Sequence, residues 1–144
     1  MNMTRVKIDK VQPAAYEAMF GLEKYLGTTD LGTSLPELIK THASQINGCA
    51  YCIQMHTKAA QENGETTERL FALSAWRESP LFTEKERAVL ALTEEVTLIS
   101  DHGVSDRVYR RVSEHFNEEQ IAQIIMAITT INAWNRIAIA IQIQ

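Results

Sequence analysis

Two thiols and an imidazole occupy positions 0, +3 and +7 of one short segment: Cys49, Cys52 and His56, in Cys49-Ala50-Tyr51-Cys52 followed by Ile53-Gln54-Met55-His56. On a helix, at about 100° per residue, the three fall within about 60° of arc and point the same way. A thiolate forms near neutral pH when a base or a positive charge lies beside it, and a second thiol traps its oxidised product. The +4 step from Cys52 to His56 places an imidazole next to the second sulfur, where it can serve as the base. A helix N-terminus adds partial positive charge, which favours both thiolates. The chemistry this spacing supports is redox chemistry at sulfur.

The elements that must position these groups are all helical. Apolar residues recur with helical period, and no convincing alternating strand is found. The pattern predicts a first helix from about Ala14 to Tyr25, closed by Gly27, then a Gly- and Thr-rich loop over 28–33. Ser34-Leu35-Pro36-Glu37 opens a second helix to about Ile46, with Ser34 as N-cap, Pro36 in the first turn and Glu37 as reciprocal capping partner. Asn47-Gly48 breaks it. The thiol helix runs from Cys49 to Asn63 and ends at Gly64. Further helices follow at Thr67 to Trp76, from the capping box at Thr83 to Ile99, from Ser105 to Phe116, and from Asn117 nearly to Gln144. The expectation is an all-α, seven-helix, single domain over 1–144.

Composition bounds the function. Apolar residues make up 45% and charged ones 22%, a balance typical of a folded globular chain rather than a disordered one. A formal charge of −4 with dispersed Lys and Arg argues against nucleic acid as a partner. The N-terminal residues lack an apolar stretch of the export type. A CxxC in a reducing cytoplasm, the expected location, more often serves catalysis or metal binding than structure. The C-terminal apolar segment is interrupted by Asn132, Asn135 and Arg136, so it is expected not to be a membrane span. That last helix carries Ile121, Ile124, Ile125, Ile128, Ile131 and Ile139 on one side, and Met126, Trp134, Ile137 and Ile141 on the other. A helix apolar nearly all round must be covered nearly all round. A subunit interface is the expected cover, in preference to a central position within one chain.

Each of these residues also has a plainer role. A buried Cys is commonly inert, and a buried His is commonly a hydrogen-bonded core residue; the joint spacing is what favours a redox pair. Glu37 fits two assignments, a helix cap or a carboxylate that orients His56, and spacing does not decide between them. Zinc is disfavoured, since CxxC lacks a second ligand pair and His42, His102 and His115 stand isolated; no metal or cofactor is expected. Asn132 and Asn135 are assigned to capping neighbouring helix ends or bridging subunits. Trp76 and Trp134 are assigned to packing.

Glu37, the run Ala43-Ser44-Gln45-Ile46-Asn47-Gly48-Cys49-Ala50-Tyr51-Cys52-Ile53-Gln54-Met55-His56-Thr57, and the later Ile131-Asn132-Ala133-Trp134-Asn135-Arg136 resemble the alkylhydroperoxidase D (AhpD) family of the carboxymuconolactone decarboxylase superfamily. The resemblance implies an all-α homo-oligomer, a trimer or a hexamer, and a peroxidase cycle. In that cycle Cys52 attacks peroxide and becomes a sulfenic acid, and Cys49 resolves it to a disulfide. His56 and Glu37 move protons, and a lipoyl-type or thioredoxin-like dithiol resets the pair. One departure is Tyr51, which stands where the best-understood family peroxidase has a His; on a helical wheel it points away from the thiols. General thiol–disulfide exchange and non-catalytic redox sensing are the alternatives for the same cysteines.

Overall fold

The computed structural model describes residues 3–144, and among these every regular element is helical. The order is α1 (Ile8–Val11), α2 (Pro13–Leu26), α3 (Ser34–Asn47), α4 (Ala50–Glu62), α5 (Thr67–Ala72), a 3₁₀ segment (Leu73–Glu78), α6 (Glu84–Thr97), α7 (Ile99–His102), α8 (Asp106–Ser113) and α9 (Glu118–Ile141). Seven helices were expected. The extra ones, α1 and α7, are single turns of four residues, too short to carry a periodic signal. The segment expected as one helix from Thr67 to Trp76 is α5 followed by the 3₁₀ turn, with Ala75 outside helical geometry at φ −117° and ψ 33°.

Capping chemistry fixes most helix starts. Thr83 accepts from the Glu86 N–H while Glu86 accepts from the Thr83 N–H, and Asn117 and Gln120 form the same reciprocal pair at the head of α9. Ser105 Oγ accepts from the Val108 N–H to start α8. Ser34 departs from expectation. Thr33 takes the N-cap position without a side-chain cap, and the Ser34 hydroxyl donates instead to Glu65 Oε2 at 3.2 Å. Glu37 is thereby released from capping.

The main core joins Leu38 and Ile39 of α3, Leu73 and Trp76, Val89, Leu90 and Leu92 of α6, Val108 and Val112 of α8, and Ile124 and Ile128 of α9. α9 packs on α2, α3, α4, α6 and α8. It is long and apolar enough to cross a membrane by length and composition, yet Ile121, Ile124, Ile128 and Ile131 are buried inside this bundle. The chain itself therefore covers much of the apolar girth that was assigned to a partner; Ile139, at 44% exposure, is left outside. α3 is the second hub, touching α4, α6 and α9. It carries Glu37 at one end and delivers the chain to Cys49 at the other.

Candidate active site

The corner between α3 and α4 sets the thiols. Gly48 adopts φ +70° as the left-handed C-cap of α3, a conformation that L side chains resist. A Cβ placed there would meet nothing within 4 Å, so this glycine serves the turn and not close backbone packing. The Cys49 N–H then bonds Ser44 O at 3.0 Å. Polar ties from α9 fix the corner. Asn47 Nδ2 donates to both Asn132 Oδ1 and Asn135 Oδ1 at 2.9 Å, and Asn135 Nδ2 donates to Ser44 Oγ at 3.0 Å. Asn132 Nδ2 in turn donates to Thr97 Oγ1 at 3.0 Å. The two asparagines thus hold the end of a neighbouring helix within the chain.

Cys49 is the N-cap of α4, and its Sγ accepts from the Cys52 N–H at 3.3 Å. Both sulfurs lie where the helix N-terminus concentrates its partial positive charge. The two cysteines are joined as a disulfide, with a Cα–Cα distance of 5.3 Å, and each is 2% exposed. His56 follows one turn later on the same buried face, and its Nδ1 lies 3.2 Å from Glu37 Oε2. Among the described residues Nε2 of His56 has no hydrogen-bond partner. Of the two assignments open for Glu37, the geometry selects the contact with His56.

The pair sits in the wall between two cavities. The first, of about 300 Å³, is lined by Cys52 and His56 together with Tyr16, Phe20, Met55, Trp134 and Ile137. Cys49 is absent from that lining. The second, of about 270 Å³, is lined by Glu37, Lys40 and the loop after α2. One partner of the His56–Glu37 contact therefore faces the thiol cavity, and the other faces its neighbour. Tyr51, expected to point away from the thiols, lines the Cys52 cavity and is 38% exposed. On the wheel Tyr51 sits beside Met55, four residues on, which also lines the cavity, so the cavity extends around α4 past the thiols to this flank.

His42, read as lacking a second metal-ligand pair, is held in a hydrogen-bonded cluster. Its Nε2 lies 2.9 Å from Glu94 Oε1 and its Nδ1 3.3 Å from Gln45 Oε1. Burial alone would push the Glu94 carboxyl up. Hydrogen bonds from His42, Trp76 and Arg77, together with the Arg77 charge, outweigh burial and hold it at about 2. Trp76 serves packing, its Nε1 donating to Glu94 at 2.8 Å. Trp134 packs against Tyr16 and Phe20 and also borders the thiol cavity. No group of three or more His, Cys, Asp or Glu among the described residues has the arrangement of a metal site.

Tyr16, Phe20 and Glu23 of α2 line the thiol cavity but carry no sequence signal of that role. Glu23 meets Trp134 across 111 positions of chain, a pairing that local periodicity cannot reveal.

Comparison with known proteins places this site in context. A model of the carboxymuconolactone decarboxylase family matches residues 13–95. The uncharacterized protein YdfG of Bacillus subtilis (strain 168) is 43% identical over 136 residues, 94% of this chain and 92% of its own length. A crystal structure from Agrobacterium tumefaciens, of a protein of unknown function described as a candidate AhpD antioxidant-defence protein, is 40% identical with a TM-score of 0.95. That match covers 99% of this chain and 97% of the other. The debrominase Bmp8 shares the fold at 23% identity and a TM-score of 0.79, covering 92% of this chain and 71% of its own.

Proposed function

The chain belongs to the carboxymuconolactone decarboxylase family, as an AhpD-like member, and from that premise we propose that it is a thiol-dependent peroxidase. The observation that carries this reading is the asymmetry of the two sulfurs. Cys52 lines the cavity beside His56, whereas Cys49 lies behind it at the helix cap. Cys52 is then the attacking thiol and Cys49 the resolving one.

In the reduced protein His56 takes the proton of Cys52. The thiolate attacks one peroxide oxygen and the O–O bond breaks. Cys52 becomes a sulfenic acid and the departing alkoxide leaves as alcohol, with the proton returned by His56. Glu37 holds Nδ1 and leaves Nε2 for the exchange with Cys52, while Glu37 itself lines the second cavity, away from the substrate. Cys49 then attacks Cys52 Sγ; its thiol proton passes to the departing hydroxide, which leaves as water, and the disulfide of the present structure forms. An external dithiol, of lipoyl or thioredoxin-like type, takes up the oxidising equivalents and restores both thiols.

Tyr51 supports a second reading, thiol–disulfide exchange with a disulfide substrate, because it offers no imidazole between the cysteines. A redox sensor is the non-enzymatic alternative. The chain is further proposed to work in the cytoplasm as a homo-oligomer, a trimer or a hexamer. Val6, Val11 and Ile139 are exposed in the single chain and lie outside the thiol cavity, which supports cover by a partner copy.

Peroxide-dependent oxidation of dihydrolipoamide or reduced thioredoxin tests these readings. Wild type turns over many times, and Cys52→Ser reduces the rate to background. Wild type that reduces only disulfides supports exchange. Wild type that never turns over, but changes oligomeric size on oxidation, supports the sensor.

A further inference from the structure

Resting on the peroxidase reading and deepening it, we infer that Glu23 latches α2 across the Cys52 cavity as a positioning residue, and that the wall so formed selects a substrate bearing an uncharged, ring-sized apolar group. α2 spans 14 residues, yet none of them is buried. It is held on α9 at its surface. Tyr16 meets Trp134 edge-on, with ring centroids 5.6 Å apart and planes at 83°, and Phe20 lies at 5.7 Å. Leu26 packs against the core at the C-terminal end of α2; over the turns before it the hold on α9 is these ring contacts, which contribute about 1 kcal/mol each beyond area burial.

Glu23 adds what the rings lack. One of its oxygens accepts from Trp134 Nε1 at 3.1 Å, and the other accepts from Lys40 Nζ at 3.3 Å. One carboxylate thus ties α2 to α9 and to α3. It is also the residue common to the linings of both cavities, so its two bonds lie along the partition between them.

The cavity this latch closes has a definite chemistry. Its lining is aromatic and aliphatic apart from Cys52, His56 and Glu23, and contains neither Lys nor Arg. An anionic substrate would find no fixed counter-charge and would face the Glu23 carboxylate. An empty apolar cavity of about 150 Å³ holds a benzene ring. At about 300 Å³ this one has room for a ring together with a peroxide group reaching Cys52. Hydrogen peroxide needs none of the wall.

The test compares cumene hydroperoxide with hydrogen peroxide as substrates, and cumyl alcohol with benzoate as non-reacting ligands. The protein has two tryptophans, and Trp134→Phe identifies which part of the fluorescence belongs to the cavity. In wild type, cumyl alcohol quenches Trp134 and benzoate does not. Glu23→Ala lowers the ratio of kcat/KM for cumene hydroperoxide over hydrogen peroxide by about tenfold, mostly through KM, the size of a lost substrate contact in a pocket. Glu23→Gln recovers part of the ratio, because its amide oxygen still accepts from Trp134. This milder variant also decides the matter if Glu23→Ala does not fold. A ratio unchanged within about twofold in both variants, or benzoate binding as tightly as cumyl alcohol, overturns the inference. If wild type consumes no peroxide, the peroxidase reading falls by itself. The cumyl alcohol titration of wild type against the Glu23 variants still decides whether Glu23 shapes the site.

Discussion

Two His–Glu pairs flank α3, and they are built for opposite ends. In His42–Glu94 both ring nitrogens are engaged, and the carboxylate also receives Trp76 and Arg77. In His56–Glu37 only Nδ1 is held, and the ring borders a cavity with Cys52. A buried polar group with every valence satisfied has no capacity left for substrate, and its removal costs stability. A buried imidazole with one nitrogen fixed and the other unpartnered, on a ring that borders a cavity, is held in orientation while free to exchange a proton. The difference separates a clamp from a catalytic group, although both are His–carboxylate contacts of similar length.

The comparison breaks most visibly at His56. His56→Gln is expected to slow peroxide turnover by about 10²- to 10⁴-fold, the range for loss of a general base, while the thermal midpoint moves little. A large fall in midpoint with rates unchanged would make His56 a second clamp. Glu37→Gln keeps an acceptor near Nδ1 but removes the charge, so a smaller loss of roughly tenfold or more is expected, with a displaced pH–rate profile. An unaltered profile would return Glu37 to a structural role.

The clamp is tested by the opposite signature. Glu94→Gln is expected to lower unfolding free energy by about 1–3 kcal/mol, because charged partners are left less well satisfied. The turnover number per folded molecule should stay at the wild-type value, as urea melts beside activity assays would show. The pH dependence has a definite sign. Glu94 is held at about 2, below its ordinary 4.5, so its contribution is complete above the ordinary value and drains away as pH falls toward 2. The wild-type minus Glu94→Gln difference in stability should shrink by about 1–2 kcal/mol over that interval, less than the full shift would give because solvent screens this partly exposed carboxylate. A difference that is flat with pH would mean the carboxylate is not what the clamp uses.

Much of this was legible in the residues. The CxxC-to-His spacing fixed the sulfur–imidazole face, and Thr83, Ser105 and Asn117 marked three helix starts because capping is local chemistry. Ser34 misled by the same rule, since a hydroxyl that matches a capping motif can bond elsewhere once Glu65 is brought near. Glu37 stayed ambiguous because the contact that decides it crosses between helices. The outer cavity wall was not visible at all. α2 has the apolar content of a core helix, yet its aromatic residues meet Trp134 from the far end of the chain. The cover that the chain itself gives α9 was not legible, because its five neighbours are distributed through the whole sequence.

The most direct test of the central claim traps the oxidised sulfur. Reduced Cys49→Ser and Cys52→Ser proteins, each given one equivalent of peroxide with dimedone present, are read by mass spectrometry. The account predicts a single dimedone adduct on Cys52 in Cys49→Ser, formed much more slowly when His56→Gln is added, and no comparable adduct on Cys49 in Cys52→Ser. Rapid trapping on Cys49 with Cys52 replaced, or a Cys52 rate indifferent to His56, would contradict it.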